Sequence, residues 1–157
     1  MLIHNVTKSI TAMKGEITMS DKEKFEGFKQ QLIDENEKKY GEEIRAKYGD
    51  TAVDESNAKL HGLTKEQYDA GERLRVELEE TLKAAFDTKD SAGELAQKAC
   101  DLHRQWLCVY YPKYSKEYHM GLGEMYVVDE RFKANYEKHA HGCTEFFRDA
   151  INYYCKS

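Results

Sequence analysis

ELAQKACDLHRQWLCVYYP, residues 94–112, is the stretch that decides the class of fold. Leu95, Ala99, Leu102, Trp106 and Val109 recur every three or four positions, and Ala96, Cys100, His103, Leu107 and Tyr110 broaden the same face. A helix apolar over so wide an arc belongs at the centre of a helical domain. Ser91 and Glu94 form a capping-box pattern at its start. Pro112, the only proline, ends it, because proline disfavours helical geometry in the residue before it. Upstream, Thr64 and Gln67 make another capping box ahead of Leu74, Leu78, Leu82, Ala85 and Phe86 at helical spacing. Downstream, Ser115 is placed to cap a helix carrying Tyr118, Leu122, Met125 and Tyr126. Asp129 does the same for Phe132 and Tyr136, and Thr144 for Phe147, Ile151 and Tyr154. No convincing strand pattern competes, so the fold class read from the sequence is all-α.

Composition narrows the function classes. A chain of 157 residues is one domain with an appended helix at most, and long enough to bury a real core. A formal net charge of −5 argues against this chain itself coating nucleic acid. No apolar run approaches the ~18 residues of a membrane span. There is no signal peptide, and Cys100, Cys108, Cys143 and Cys155 show no framework spacing, so they are read as reduced thiols of a cytoplasmic protein.

The rest of the chain divides in two. Ile3, Val6, Ile10, Met13 and Ile17 follow the 3-4-3-4 spacing of coiled-coil seam positions. Two to three heptads leave a dimer seam and an amphipathic helix packed on its own domain both open. Residues 20–62 are rich in charge and carry narrow apolar stripes. Ser20 and Glu23 cap a helix bearing Phe25, Phe28 and Leu32; Tyr40, Ile44 and Tyr48 follow, ending at Gly49, which is placed to stop a helix in the left-handed conformation. Helices that bury so little depend on other contacts for their order.

The chemistry-bearing residues are weighed against plainer roles. Cys100 and His103 lie one helical turn apart, and His139, His141 and Cys143 form a loose cluster, but neither is a zinc spacing and both fit core or loop positions. A Cys–His nucleophile pair lacks an orienting partner and an oxyanion element. His103 on a wide apolar face is a conceivable haem ligand, which keeps a haem or metal sensor as the alternative function. Two features favour binding instead. Gly121 and Gly123 sit inside a helical pattern at a cost of about 1 kcal/mol each, so backbone there must approach a neighbouring helix or a bound molecule. Around them gather Trp106, Tyr110, Tyr111, Tyr114, Tyr118, Tyr126 and Tyr136 with His103 and His119. Such side chains serve either as core or as the walls of a cleft for a large, flat molecule of mixed polarity.

Tyr48-Gly49-Asp50, Thr64-Lys65-Glu66, His103-Arg104, His119, Leu122-Gly123-Glu124-Met125-Tyr126, Asp129-x-Arg131-Phe132 and Arg148-Asp149-Ala150-Ile151 occur in this order. In them the chain, over residues 20–155, resembles the TipAS-type antibiotic-recognition domain, the effector half of a branch of MerR-like transcriptional regulators. The resemblance implies a globin-like helical domain over residues 20–157 that binds thiopeptide-like macrocyclic or other bulky hydrophobic antibiotics, without catalysis and without a cofactor. It further implies that residues 20–62 are mobile and close over the drug while residues 63–157 form the helical core. Residues 1–19 resemble the end of the dimerisation helix, with DNA contacted only by a winged-helix domain upstream; Met1 would then mark an internal start, a truncation or a free, drug-sequestering form. The ligand-binding residues read from the aromatics and the resemblance together are Tyr48, His103, Trp106, Tyr110, Tyr118, His119, Gly121, Leu122, Met125, Tyr126 and Tyr136. One departure matters. Gly121 stands where the thiopeptide-capturing member carries its reactive cysteine, and Tyr114 where a second cysteine is expected, so reversible binding is the expectation unless Cys108 substitutes.

Overall fold

The computed structural model describes residues 20–157, and the chain divides after Lys65 into two compact units. The coiled-coil expectation for residues 1–19 lies outside the described residues. The first unit contains α1 (Asp21–Asn36), a π-helical segment (Glu37–Gly41), α2 (Glu42–Tyr48) and α3 (Asp50–His61). Ser20 caps α1 as its spacing predicts: Oγ accepts the Glu23 amide at 3.1 Å and donates to the Glu23 carboxylate at 3.0 Å. Phe25, Phe28 and Leu32 are buried together with Ile33 and Lys29. The lysine is the surprise on this face. Its Nζ donates to the carbonyls of His61 at 2.6 Å and Leu63 at 2.8 Å and pairs with Glu26 at 3.0 Å. A buried cation thus closes the carbonyl end of α3, where the helix dipole favours positive charge.

The Tyr40–Ile44–Tyr48 stripe is interrupted by the π segment. Within it the Glu37 carboxylate accepts from Arg45 at 2.6 and 3.2 Å and from Asn57 at 2.9 Å, and Arg45 reaches Asp50 and Asp54. Gly41 leaves room for that carboxylate, which a Cβ would strike. Gly49 does end α2 with its amide on the Arg45 carbonyl at 2.9 Å, but its φ of 88° and ψ of 156° are not the left-handed helical pair expected of it. Its ψ turns the chain straight into α3.

The second unit holds α4 (Lys65–Thr88), α5 (Glu94–Tyr110), α6 (Lys116–Val128), α7 (Glu130–Glu137) and α8 (Cys143–Lys156). The wide face of α5 is buried through Ala96, Ala99, Cys100, Leu102, His103, Trp106, Leu107 and Tyr110, whereas Leu95, expected on that face, is 39% exposed. Tyr111 before Pro112 is extended, which stops the helix as the proline requires. Ser115 and Asp129 cap α6 and α7 by accepting the amides of Tyr118 and Arg131, both at 3.0 Å.

Two caps differ from the sequence reading. Gly93, not Ser91, precedes α5; Asp90 takes the Ala92 amide and the Ser91 carbonyl accepts from Gln97. Likewise α8 opens at Cys143 after Gly142, whose φ is 89°, and Thr144 lies inside the first turn. The Glu137 carboxylate does the capping there, accepting the Gly142 and Thr144 amides at 3.0 Å and the Thr144 hydroxyl at 2.8 Å. At α8 the Glu137 carboxylate, not the Thr144 hydroxyl, takes the free amides.

Helix α8 packs on α5, α6 and α7, burying Phe147, Ala150 and Ile151 completely. Gly123 explains how closely α6 approaches it. A Cβ there would lie 3.3 Å from Ile151 Cδ1 and 3.6 Å from the Arg148 Cα. Gly121 has no neighbour within 4 Å of a Cβ and faces open space. The described residues contain no strand, and no helix among them is both long and apolar enough to cross a membrane.

Candidate functional site

The interior of the second unit is organised around two histidines from α5 and α6. His103 Nδ1 and His119 Nε2 are 2.8 Å apart; His103 Nε2 reaches the Tyr126 hydroxyl at 3.2 Å, and His119 Nδ1 the Tyr114 hydroxyl at 2.7 Å. Both rings are buried. Burial, with the neighbouring imidazole, holds the His103 pKa well below the ordinary value, and burial with Arg104 nearby pushes His119 down to about 4. They are neutral core histidines whose four ring nitrogens are all engaged. A haem reading fails on that ground, since His103 has no nitrogen left for iron. Among the described residues no three His, Cys, Asp or Glu side chains are grouped to hold a metal ion.

Around this pair the aromatic residues interlock. His103 stacks on Trp106 at 6.1 Å between centroids, Trp106 lies 5.3 Å from Tyr110, and Tyr126 packs against Tyr136 at 5.0 Å. Tyr118 pairs with Tyr111 at 5.4 Å at the start of α6. Arg104 binds Asp101 and the Tyr154 hydroxyl, and that hydroxyl donates to Asp101 at 2.7 Å, tying α5 to α8. Leu122 is buried, Met125 and Tyr136 are half-buried, and Gly121 is exposed. The structure therefore brings His103, Trp106, Tyr110, His119, Leu122, Tyr126 and Tyr136 into one packed interior. Tyr48 belongs to the first unit, at the exposed end of α2.

Inside this unit Trp106 Nε1, Tyr110 Oη and Glu72 Oε1 are buried without hydrogen-bond partners. The sequence reading reached the first two residues and missed Glu72, whose spacing to Arg75 looks like an ordinary surface pair. Cys100, Cys143 and Cys155 offer no activated thiolate. Burial raises the Cys100 and Cys155 thiols and pushes Cys143 up to about 11.

An all-helical unit with neutral, engaged histidines and buried aromatic hydrogen-bonding groups has the makings of a ligand-recognition domain. The sequence profile of the TipAS antibiotic-recognition domain matches residues 40–154, and the chain belongs to that family. It is 34% identical to the HTH-type transcriptional activator TipA of Streptomyces coelicolor over 148 residues, 93% of this chain and 57% of that protein. The activator mta of Bacillus subtilis is 24% identical over 98% of this chain and 60% of its own length. The chain thus spans about three-fifths of the regulators it matches. A solved structure of TipAS from Streptomyces lividans in complex with nosiheptide superposes with a TM-score of 0.65 at 32% identity, covering 90% of this chain and 97% of that one. The helical, globin-like class implied by the resemblance is the class of this domain.

Proposed function

We propose that the chain is the effector part of a MerR-like transcriptional activator and binds a thiopeptide-like macrocycle or another bulky hydrophobic antibiotic in the cytoplasm, without chemical turnover. The observation that carries this reading is the match, in sequence and in fold over nine-tenths of the chain, to a domain solved with nosiheptide. The ligand-binding residues are drawn from the aromatic interior and its edges, with Trp106, Tyr110, Tyr118, Met125, Tyr126 and Tyr136 offering rings and sulfur, and the His103–His119 pair holding them in place. Binding is reversible: the position of the capturing cysteine is Gly121, and burial keeps Cys100, Cys143 and Cys155 as thiols.

Ligand binding orders residues 20–62 and passes through residues 1–19, as a dimer helix, to a DNA-binding domain upstream. Supporting this, α2 buries no side chain and α3 only Leu60, so these two helices gain little from their own packing. Titration with nosiheptide and other thiopeptides, followed by Trp106 fluorescence and by mass spectrometry, tests the proposal. Saturable quenching at constant mass is expected; no response to any of them would sink it. Expressing the chain alone and measuring thiopeptide susceptibility separates a sequestering form from a transcriptional switch.

A further inference from the structure

Glu72 Oε1, Trp106 Nε1 and Tyr110 Oη are buried without hydrogen-bond partners, although Trp106 and Tyr110 are each only 7% exposed. Interiors rarely leave such atoms unpaired, so this group requires an explanation. They lie together. Trp106 and Tyr110 are one turn apart on α5 with ring centroids 5.3 Å apart, and a Cβ on Gly71 would sit 2.8 Å from the Tyr110 hydroxyl. The absent side chain of Gly71 is thus what admits the hydroxyl against α4, beside Glu72. The other Glu72 oxygen is taken by Arg75 at 3.1 and 3.2 Å, and Arg75 also binds Glu79 at 3.3 Å. Two carboxylates share one guanidinium, which leaves Oε1 as a negatively polarised acceptor. Burial and that carboxylate keep the Tyr110 hydroxyl protonated.

The chemistry of the trio is complementary to one functional group. An indole N–H only donates, a carboxylate oxygen only accepts, and a phenol does either. A secondary amide presents a carbonyl for the first and an N–H for the second. We infer that Glu72, Trp106 and Tyr110 form a subsite that grips a peptide amide of the bound molecule, its carbonyl accepting from Trp106 and Tyr110 and its N–H donating to Glu72. The inference rests on the ligand-binding reading above and gives it a polar anchor on α4 and α5.

The test uses the whole chain and nosiheptide. Calorimetry gives the affinity of the wild type, Tyr110→Phe and Glu72→Gln, and ¹⁵N NMR follows the single indole N–H resonance. Expected are a downfield shift and slower water exchange of the indole proton on binding, and about five- to tenfold weaker binding for each variant. Free Tyr110→Phe should melt no lower than the wild type, because the hydroxyl it loses had no partner. A wild type that binds while the indole proton exchanges as before and both variants bind equally overturns the amide subsite and spares the ligand-binding reading. A wild type that binds no thiopeptide overturns both.

Discussion

Lowering the pH from about 7.5 to about 5 should remove about 2 kcal/mol from the stability of the second unit through His119, and His103 acts in the same direction. Both imidazoles are neutral when folded, His119 with its pKa down to about 4 and His103 held well below the usual value. In the unfolded chain they titrate near 6.5. Between those values the unfolded state binds more protons than the folded one, so stability falls as the pH drops through and below 6.5. For His119 the linkage integral down to pH 5 is about 2 kcal/mol, and the lowered pKa of His103 adds with the same sign. The His119 share of the slope near pH 5 is about one proton. Carboxylates with lowered pKa values, such as Glu37, Asp101 and Glu137, act in the same direction but at lower pH. Urea unfolding followed by Trp106 fluorescence at half-unit pH steps measures the slope, and His119→Gln should reduce it by about one proton. A slope below half a proton between about pH 5 and 6.5, or either imidazole titrating near 6.5 in the folded protein by ¹⁵N NMR, would refute the reasoning.

The two glycines of α6 should respond oppositely. Gly121→Ala, in open space within a helix, should stabilise by about 0.4–1 kcal/mol, whereas Gly123→Val should cost about 1–3 kcal/mol by forcing α6 off α8; thermal melts of both variants decide. Lys29→Met keeps the length of the side chain but strips the His61 and Leu63 carbonyls of their donor, at a cost of about 2–4 kcal/mol, read as faster amide exchange in α1 and α3. Gly49→Ala places a Cβ on a backbone that only glycine adopts readily and should destabilise the turn from α2 to α3 by about 1–3 kcal/mol, visible as exchange confined to the first unit.

What the sequence revealed was what local spacing controls. The wide face of α5, the stop at Pro112 and the caps at Ser20, Ser115 and Asp129 follow from neighbours within a turn or two. Ser91 and Thr144 misled because the helices start elsewhere, after Gly93 and Gly142, and at α8 the Glu137 carboxylate takes the Gly142 and Thr144 amides. Lys29 was invisible because its partners lie 32 and 34 residues away. Glu72 was hidden in another way: a Glu–Arg pair three residues apart reads as a solvated helix face until α5 is laid against it. His119 stands among the ligand-binding residues read from the sequence, and its ring nitrogens meet residues that only tertiary packing brings near, Tyr114 and His103.

The chain of contacts Tyr114–His119–His103–Tyr126 has a direction. Each neutral imidazole carries one N–H, so three consecutive hydrogen bonds are satisfied only if every donor points the same way. Two settings exist. In one, Tyr114 donates inward and the Tyr126 proton is turned toward Tyr136; in the other, Tyr126 donates inward and the Tyr114 proton is turned toward Cys155. Passing between them requires both histidines to exchange tautomers together. A new acceptor at either tyrosine therefore fixes the tautomer of both rings and the donor at the far end, from α6 through α5 and back, with no atom heavier than hydrogen changing place.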